Sequence, residues 1–181
     1  AVYGTFAVAA YVIGMRLRMV VLMPGFGLAN SVSTLVGQNL GANKPERAER
    51  TAWITVGIAS AIMTVIGILY IIFAKATISI FNSHPEVVGI GVYQQYITAG
   101  AFGIVGVSIV LGRAFNGAGD TLSPMIITCT TLLLFQIGLS LLLSWKFGLI
   151  GIWFGITASN VIQGIIMMLW FNTGRWKLKK V

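Results

Sequence analysis

The sequence predicts an all-α membrane protein, a polytopic bundle of transmembrane helices, and three observations support that prediction. Of the 181 residues, 57% are hydrophobic and only 9% are charged, whereas about a quarter of the residues of a soluble domain are charged. The mean hydropathy is +0.91. The apolar residues are gathered in runs of at least about 18 residues, as membrane-spanning helices require, and the runs lack the alternation of a membrane β-strand.

Five apolar runs are long enough to cross a bilayer, since about 20 residues at about 1.5 Å per residue span its hydrocarbon core. These predicted spans are residues 19–40, 51–73, 87–112, 125–143 and 147–171. A shorter apolar stretch, residues 1–15, would rise only about 22 Å, so it is interpreted as the end of a truncated sixth span. Residues 172–181 form a basic tail.

The connections between the runs carry helix-start signals. Residues 83–86 read Ser-His-Pro-Glu, which is a capping box with proline in the first turn, so a helix is predicted to begin there. Ser123 precedes Pro124 and is predicted to cap the next helix. Pro24 lies inside the first full span, where it removes one backbone hydrogen bond and should bend the helix.

Basic residues set the predicted orientation. The net charge of +8 would suggest nucleic acid in a soluble protein, but here it indicates basic loops beside a membrane, so no nucleic-acid partner is expected. One side collects Lys44, Arg47, Arg50, Arg113, Arg175, Lys177, Lys179 and Lys180, and the other collects Arg16, Arg18, Lys75 and Lys146. The positive-inside rule then places the 41–50 loop and the C-terminus in the cytoplasm, with the chain in the inner (plasma) membrane.

The basic tail is expected to contact membrane lipid. Trp170 precedes the tail and Trp176 lies within it, and aromatic residues of this kind are enriched at the membrane interface. The neighbouring cations would then face anionic lipid headgroups.

The residues that an enzyme needs are scarce. His84 is the single histidine, and the four carboxylates all fall in predicted loops or helix ends: Glu46, Glu49, Glu86 and Asp120. No acid and base pair and no metal-ligand cluster is therefore predicted. Cys129 lies in an apolar run and is expected to be a small buried residue. The sequence thus predicts neither an enzyme nor a metal site.

Polar residues that recur at helical spacing inside the spans are the candidate lining of a substrate cavity. They are Asn30, Thr34 and Gln38 in the first full span, Tyr96 in the third, and Ser159 and Gln163 in the fifth. Amides and hydroxyls at membrane depth either join packed helices or line a water-filled cavity, and the sequence leaves both roles open. Two glycine pairs have the spacing of close helix contacts, Gly37 with Gly41 and Gly151 with Gly155.

Two loop segments carry motifs, residues 36–48 (VGQNLGANKPERA) and residues 115–121 (FNGAGDT). The first resembles the end of the eighth span in the multidrug and toxic compound extrusion (MATE) transporters, and the second resembles the turn between their tenth and eleventh spans. The G-x-x-G-x-W pattern of residues 148–153 is similar to their last span. The resemblance covers essentially the whole chain.

The resemblance implies that residues 1–181 are the C-terminal lobe of a twelve-span transporter, without the N-terminal lobe that is its partner in alternating access. Family members export organic cations, drugs or amphipathic metabolites in exchange for protons or sodium ions, which implies a small-molecule substrate, an ion gradient and no cofactor. Some branches carry acidic coupling residues in the seventh and tenth spans. Residues 87–112 contain none, which implies a coupling site on the missing lobe.

Physical reasoning gives structural roles to the matching loops. Gly37 and Gly41 allow close helix contact, and Gly117 and Gly119 permit a positive φ. Asp120 is expected to accept hydrogen bonds from the turn or from the first turn of the next helix. These five residues are therefore motif residues, not substrate ligands.

Two other functions stay open on the sequence alone. A flippase for lipid-linked sugars, of related fold, needs a charged cavity to neutralise a pyrophosphate. Every Lys and Arg is predicted to lie near a span end, however, and Arg113 alone could reach inward. A non-transporting membrane subunit would use the spans as an assembly platform, and an initiating Met near Ala1 would favour it, whereas upstream spans would favour the transporter.

Overall fold

The computed structural model describes residues 4–179, and all of their regular secondary structure is helical. The all-α prediction is therefore confirmed. The α-helices are α1 (Gly4–Gly41), α2 (Pro45–Ile72), α3 (Ala74–Ser79), α4 (Pro85–Ala99), α5 (Phe102–Gly117), α6 (Leu122–Thr130) and α7 (Ile137–Asn172). A π-helical turn, Thr131–Gln136, joins α6 to α7, and a 3₁₀ turn, Arg175–Leu178, follows α7. Lys180, which the sequence analysis counted in the basic tail, lies outside the described residues.

Helix α1 is continuous over 38 residues, or about 57 Å at the rise of an α-helix. The predicted boundary between residues 1–15 and residues 19–40 is therefore wrong, because the helix has no break at Arg16 or Arg18. Long basic side chains leave the backbone hydrogen bonds intact, and Pro24 is also held within the helix. Both arginines consequently lie in the middle of a helix instead of at the end of a span.

Helix α7 is a hairpin that reverses at Gly148, where φ is 59° and ψ is −138°. A positive φ of this kind favours glycine. Residues 149–172, the return arm, run antiparallel to α6 and residues 137–147. Three hydrogen bonds join the two sides: Ser140 Oγ to Ile152 O (3.3 Å), Ser159 Oγ to Thr131 O (3.1 Å) and Gln163 Nε2 to Thr128 Oγ1 (3.0 Å).

Residues 4–179 make five long passes through the bundle. Gly4–Gly41, Pro45–Ile72 and Leu122–Asn172 are each long and apolar enough to cross a membrane, and α4 and α5 meet the requirement together as one segment bent by 56°. Because Leu122–Asn172 reverses at Gly148, it supplies two of the five passes. The polytopic architecture predicted from the apolar runs is thus present, with residues 4–15 belonging to the first pass.

Helix α5 lies at the centre of the bundle and packs against α1, α2 and the return arm of α7. Its contacts depend on small residues. A Cβ added to Gly106 would lie 3.3 Å from Ala59 O, and one added to Gly117 would overlap Ser33 O. The outer surface carries exposed Leu141, Leu142 and other large apolar residues, as a lipid-facing surface does.

The structure corrects several local predictions. Gly37 does pack closely, since its Cβ would lie 3.0 Å from Gly117 O, but Gly41 has no neighbour within 4 Å. Gly119 has a φ of 76°, as expected, whereas Gly117 is helical and needs its small size for the contact with Ser33. Gly37 and Gly117 therefore serve helix packing, and Gly119 serves the geometry of the turn.

The predicted helix starts are right for α4 and wrong in detail for α6. Helix α4 begins at Pro85, but His84 occupies its N-cap position, and no side chain caps the helix. Helix α6 begins at Leu122, so Ser123 is inside it instead of at the cap. The Ser123 amide donates to Asp120 Oδ1 at 3.3 Å, and the carboxylate thus satisfies the first-turn donor.

Gly155→Leu should force the α7 hairpin apart and lower the folded yield. A Cβ at Gly155 would already lie 2.6 Å from Ser140 N, and overpacking of this kind costs about 1–3 kcal/mol. Size-exclusion chromatography of detergent-solubilised protein would measure the yield of monodisperse material. Gly138→Leu is the matched control, because no atom lies within 4 Å of its added Cβ. Equal yields for the two variants would contradict the prediction.

Candidate functional site

An open cavity of about 750 Å³ lies between α1, α5, α6 and the return arm of α7. All four helices contribute apolar side chains to its lining: Leu22, Phe26, Val105, Ile109, Met125 and Met167. The other lining residues are mostly polar: Arg18, Ser108, Arg113, Asn116, Thr121, Thr128, Asn160 and Gln163. A cavity of this size with a mixed lining matches the sites that hold drug-sized ligands.

Two arginines give the cavity a positive charge. Arg113 lies four residues before the end of α5, near the end of the bundle that carries the basic loop, and Arg18 lies about 35 Å from the end of α1. The cavity therefore runs from that basic end into the middle of the bundle. Among the described residues, neither guanidinium takes part in an ion pair, and all four carboxylates lie outside the cavity lining.

A second cavity, of about 270 Å³, lies between α1, α4 and the return arm of α7. Arg18 and Leu22 line both cavities, so Arg18 stands in their common wall. Gln94 also lines the smaller cavity, and only 6% of it is exposed. Its Oε1 has no hydrogen-bond partner among the described residues. The middle of the bundle thus holds polar groups that its apolar core does not satisfy.

One of the six predicted cavity residues, Gln163, lines the larger cavity, where it donates to Thr128 Oγ1. Ser159 is buried and donates to Thr131 O. That carbonyl begins the π-helical turn, in which the regular hydrogen-bond ladder is disturbed. The structure thus gives Ser159 a helix-joining contact.

The other four predicted residues lie on exposed surface. Asn30, Thr34 and Gln38 are exposed on α1, and Tyr96 is exposed on α4. They do not line the larger cavity, and Thr34 Oγ1 donates within its own helix to Asn30 O at 3.5 Å. These four residues could line a cavity only if a surface outside the described residues covered them.

Sequence reasoning missed several cavity residues, of which Arg18 matters most. The signal was present, because an arginine inside a long apolar segment faces either a cavity or a polar partner, but the predicted break at Arg16 placed Arg18 in a loop. Asn116 lies inside the FNGAGDT motif, but the motif did not predict a place for it in the cavity lining. Cys129, expected to be buried, is instead exposed and lines the cavity.

The C-terminal tail closes the basic end of the bundle. Trp176 is buried, stacks on Phe171 with ring centroids 4.6 Å apart, and donates from Nε1 to Phe171 O at 3.0 Å. The prediction that Trp176 lies at the membrane interface is therefore wrong. Lys177 pairs with Glu49 at 2.5 Å and Lys179 pairs with Asp120 at 2.8 Å. The tail thus contacts both basic-end loops, as their predicted location on a common side requires.

Asp120 is a structural acceptor. Only 3% of the residue is exposed, and its carboxylate accepts hydrogen bonds from the Ser123 amide, from Ser123 Oγ (2.6 Å) and from Lys179 Nζ. Burial raises the pKa of Asp120, but the hydrogen bonds from Lys179 and Ser123 outweigh burial and hold the pKa below its ordinary value. The carboxylate is therefore ionised at neutral pH.

Comparisons with known proteins agree with this architecture. The sequence model of the MatE family matches residues 1–142. The chain is 27% identical to the probable multidrug resistance protein NorM of Thermotoga maritima, over 98% of this chain and 39% of that protein. It is 28% identical to the FAD transporter of Shewanella oneidensis, over 88% of this chain and 35% of that protein. The chain thus spans less than half the length of these relatives.

A solved structure shares the fold. A variant of the Vibrio cholerae MATE transporter VcmN superposes with a TM-score of 0.92 at 21% identity, over 99% of this chain and 42% of that chain. The two chains therefore share the arrangement of helices across the described bundle.

The Lys179–Asp120 pair should show a coupling energy of about 1 kcal/mol in a double-mutant cycle of Lys179→Gln and Asp120→Asn. Because the pKa of Asp120 is lowered in the folded state, the coupling should be complete above about pH 4 and lost only as the pH falls through the folded pKa. Thermal unfolding in detergent from pH 8 to pH 3 would measure it. Lys177→Gln is the control and should not couple to Asp120→Asn.

Proposed function

This chain belongs to the MatE family, and on that premise we propose that residues 1–181 form most of the C-terminal lobe of a twelve-span secondary transporter that exports drugs or other amphipathic small molecules. The relatives and structures named above bear the names of transporters and resistance proteins, not of enzymes. The N-terminal lobe of the same protein would supply the other half of the substrate path. The chain covers only 39% and 35% of the length of the two relatives, which agrees with an N-terminal lobe that lies outside residues 1–181.

The observation that carries the proposal is the large cavity. Its volume of about 750 Å³ suits a drug-sized molecule, and its lining combines apolar side chains with amides and hydroxyls. Such a surface binds amphipathic molecules without demanding one hydrogen-bond pattern. The exposed Asn30, Thr34, Gln38 and Tyr96 are proposed to face the other lobe, where they would complete a larger path.

A proton or sodium gradient is the proposed driving force. A coupling site in a membrane is normally a carboxylate that faces a cavity, and the cavity of this lobe is lined by none of the chain's four carboxylates. Asp120, the nearest candidate, is occupied by Lys179 and Ser123. The coupling carboxylate is therefore proposed to lie on the N-terminal lobe.

One observation favours a second candidate function, a flippase for lipid-linked sugars. The expectation that Arg113 alone reaches inward is wrong, because Arg18 also lines the cavity. Two cations would neutralise part of a pyrophosphate. The names of the relatives still favour export of small molecules, and no contact in the described bundle favours an assembly subunit.

The basic end is proposed to face the cytoplasm of a cell that carries this multi-pass protein in its plasma membrane. Since Arg16 and Arg18 lie mid-helix, the opposite end keeps only Lys75 and Lys146 among the described cations, which strengthens the positive-inside asymmetry. The loop after α1 and the tail meet at the basic end.

Cysteine labelling would test this orientation in a Cys129→Ser background. Ala42→Cys and Thr173→Cys should resist an impermeant maleimide added to intact cells, whereas Ser83→Cys, in the loop at the other end, should react. All three positions are exposed. Ala42 is preferable to Asn43, whose φ of 56° would strain a cysteine. Labelling of Ala42→Cys or Thr173→Cys from outside would reverse the proposed orientation.

Transport assays would test the function and the coupling together. In proteoliposomes with an imposed proton or sodium gradient, the full-length protein should drive substrate movement, while residues 1–181 alone should drive none. Asp120→Asn should keep gradient-dependent transport per folded molecule, because an amide oxygen still accepts the Ser123 hydrogen bonds. Loss of gradient dependence in folded Asp120→Asn, or transport by residues 1–181 alone, would place coupling in this lobe.

A further inference from the structure

We propose that the large cavity binds an amphipathic organic anion, such as a phosphate monoester or a carboxylate, and that Arg18 and Arg113 supply the positive charge that attracts it. This inference rests on the proposed transport function and names its substrate class. The apolar side chains of the cavity would hold the rest of the molecule.

The charge of the cavity is the first observation. Its two ionisable basic groups are both guanidiniums, and the chain's carboxylates are used elsewhere. Glu49 and Asp120 pair with the tail lysines, and Glu46 and Glu86 lie in the first turns of α2 and α4. The cavity therefore presents a formal charge of +2. None of the four carboxylates lies in its lining.

The cost of placing Arg18 mid-bundle is the second observation. A cation in the middle of a membrane protein is expensive unless a partner or water offsets its desolvation. Arg18 is half-buried, and among the described residues its guanidinium has neither an ion pair nor a side-chain hydrogen bond. An anion in the cavity would provide the missing interaction. A guanidinium suits phosphate and carboxylate because its N–H groups form two parallel hydrogen bonds to either.

The remaining lining agrees with an anion that carries an apolar or aromatic body. Asn116, Asn160 and Gln163 bring side-chain amides to the same cavity, and their N–H groups can donate hydrogen bonds to an anion beside the two guanidiniums. Phe26 and Met167 also line the cavity, and rings and thioethers make favourable contacts with an apolar or aromatic body. The combination predicts binding of an anion in preference to a cation of the same shape.

The experiment compares two dyes with the same xanthene core and opposite charge, carboxyfluorescein and rhodamine 123. Binding to the full-length protein in detergent is followed by fluorescence anisotropy, and transport is followed separately in proteoliposomes under an ion gradient. Carboxyfluorescein should bind saturably and more tightly than rhodamine 123, with an affinity that falls as salt rises. Tighter binding of rhodamine 123 would overturn the proposal, because it would show that the complete cavity favours cations.

Arginine variants locate the site. Arg18→Gln and Arg113→Gln should each weaken carboxyfluorescein binding by about tenfold or more, the cost of losing a charge-assisted hydrogen bond. Arg18→Lys keeps the charge and should retain part of the affinity, which separates charge from folding. Arg16→Gln is the matched control, because Arg16 lies two residues away on α1 and outside the cavity lining. Equal binding in all four variants would overturn the arginine site.

The two measurements separate this inference from the proposed function. Arginine-dependent dye binding without gradient-driven transport would support the anion site and contradict the transporter. Transport of rhodamine 123 with no arginine-dependent anion binding would support the transporter and contradict the anion site. Competition identifies the source of the anion: displacement by adenosine monophosphate indicates a soluble organic phosphate, whereas displacement only by geranylgeranyl diphosphate in nanodiscs indicates a lipid headgroup. Either displacement supports a phosphate ligand, and displacement by neither would overturn the phosphate part of the proposal.

Discussion

Close backbone contact around α5 is the constraint on which the rest of this lobe depends. Lipid removes the hydrophobic driving force between helices, so association rests on packing and on hydrogen bonds between them. Ser60 Oγ donates to Gly103 O at 2.9 Å, and this contact is possible because Gly103 has no side chain to separate α2 from α5. The same condition holds at Gly117, where the backbone of α1 lies against that of α5.

This packing determines where the cavity can form. Where α5 contacts α2 and the C-terminal part of α1, the backbones are tightly packed and leave no room for a ligand. On the side that faces α6, α5 makes few contacts, and the cavity opens there, with the N-terminal part of α1 and the return arm as its other borders. The tail ion pairs fasten the loops beside the cavity's basic end. The tight contacts and the open cavity thus lie on different faces of the same helix, α5.

The sequence predicted the class of the fold well, because apolar run length is a strong signal and helices are required in lipid. It also located the reversal near residue 148, where charge and glycine interrupt the apolar runs. It failed where a signal had two meanings. Arg16 and Arg18 were interpreted as a loop, although charged residues also occur inside membrane helices that face a cavity. Trp176 was assigned to the interface, although stacking on Phe171 buries it.

The continuity of α1 connects those errors to the function of the site. Once Arg18 belongs to the middle of a helix, it no longer counts as a loop cation, and the charge asymmetry between the two ends becomes larger. The same change gives the cavity its second positive charge. Of the six polar residues that periodicity selected, only Gln163 lines that cavity, because helical spacing identifies a face but not what the face meets. A single ionisable residue at membrane depth, costly to place and unpartnered within the described bundle, therefore says more about the ligand than a whole stripe of amides and hydroxyls selected by spacing alone.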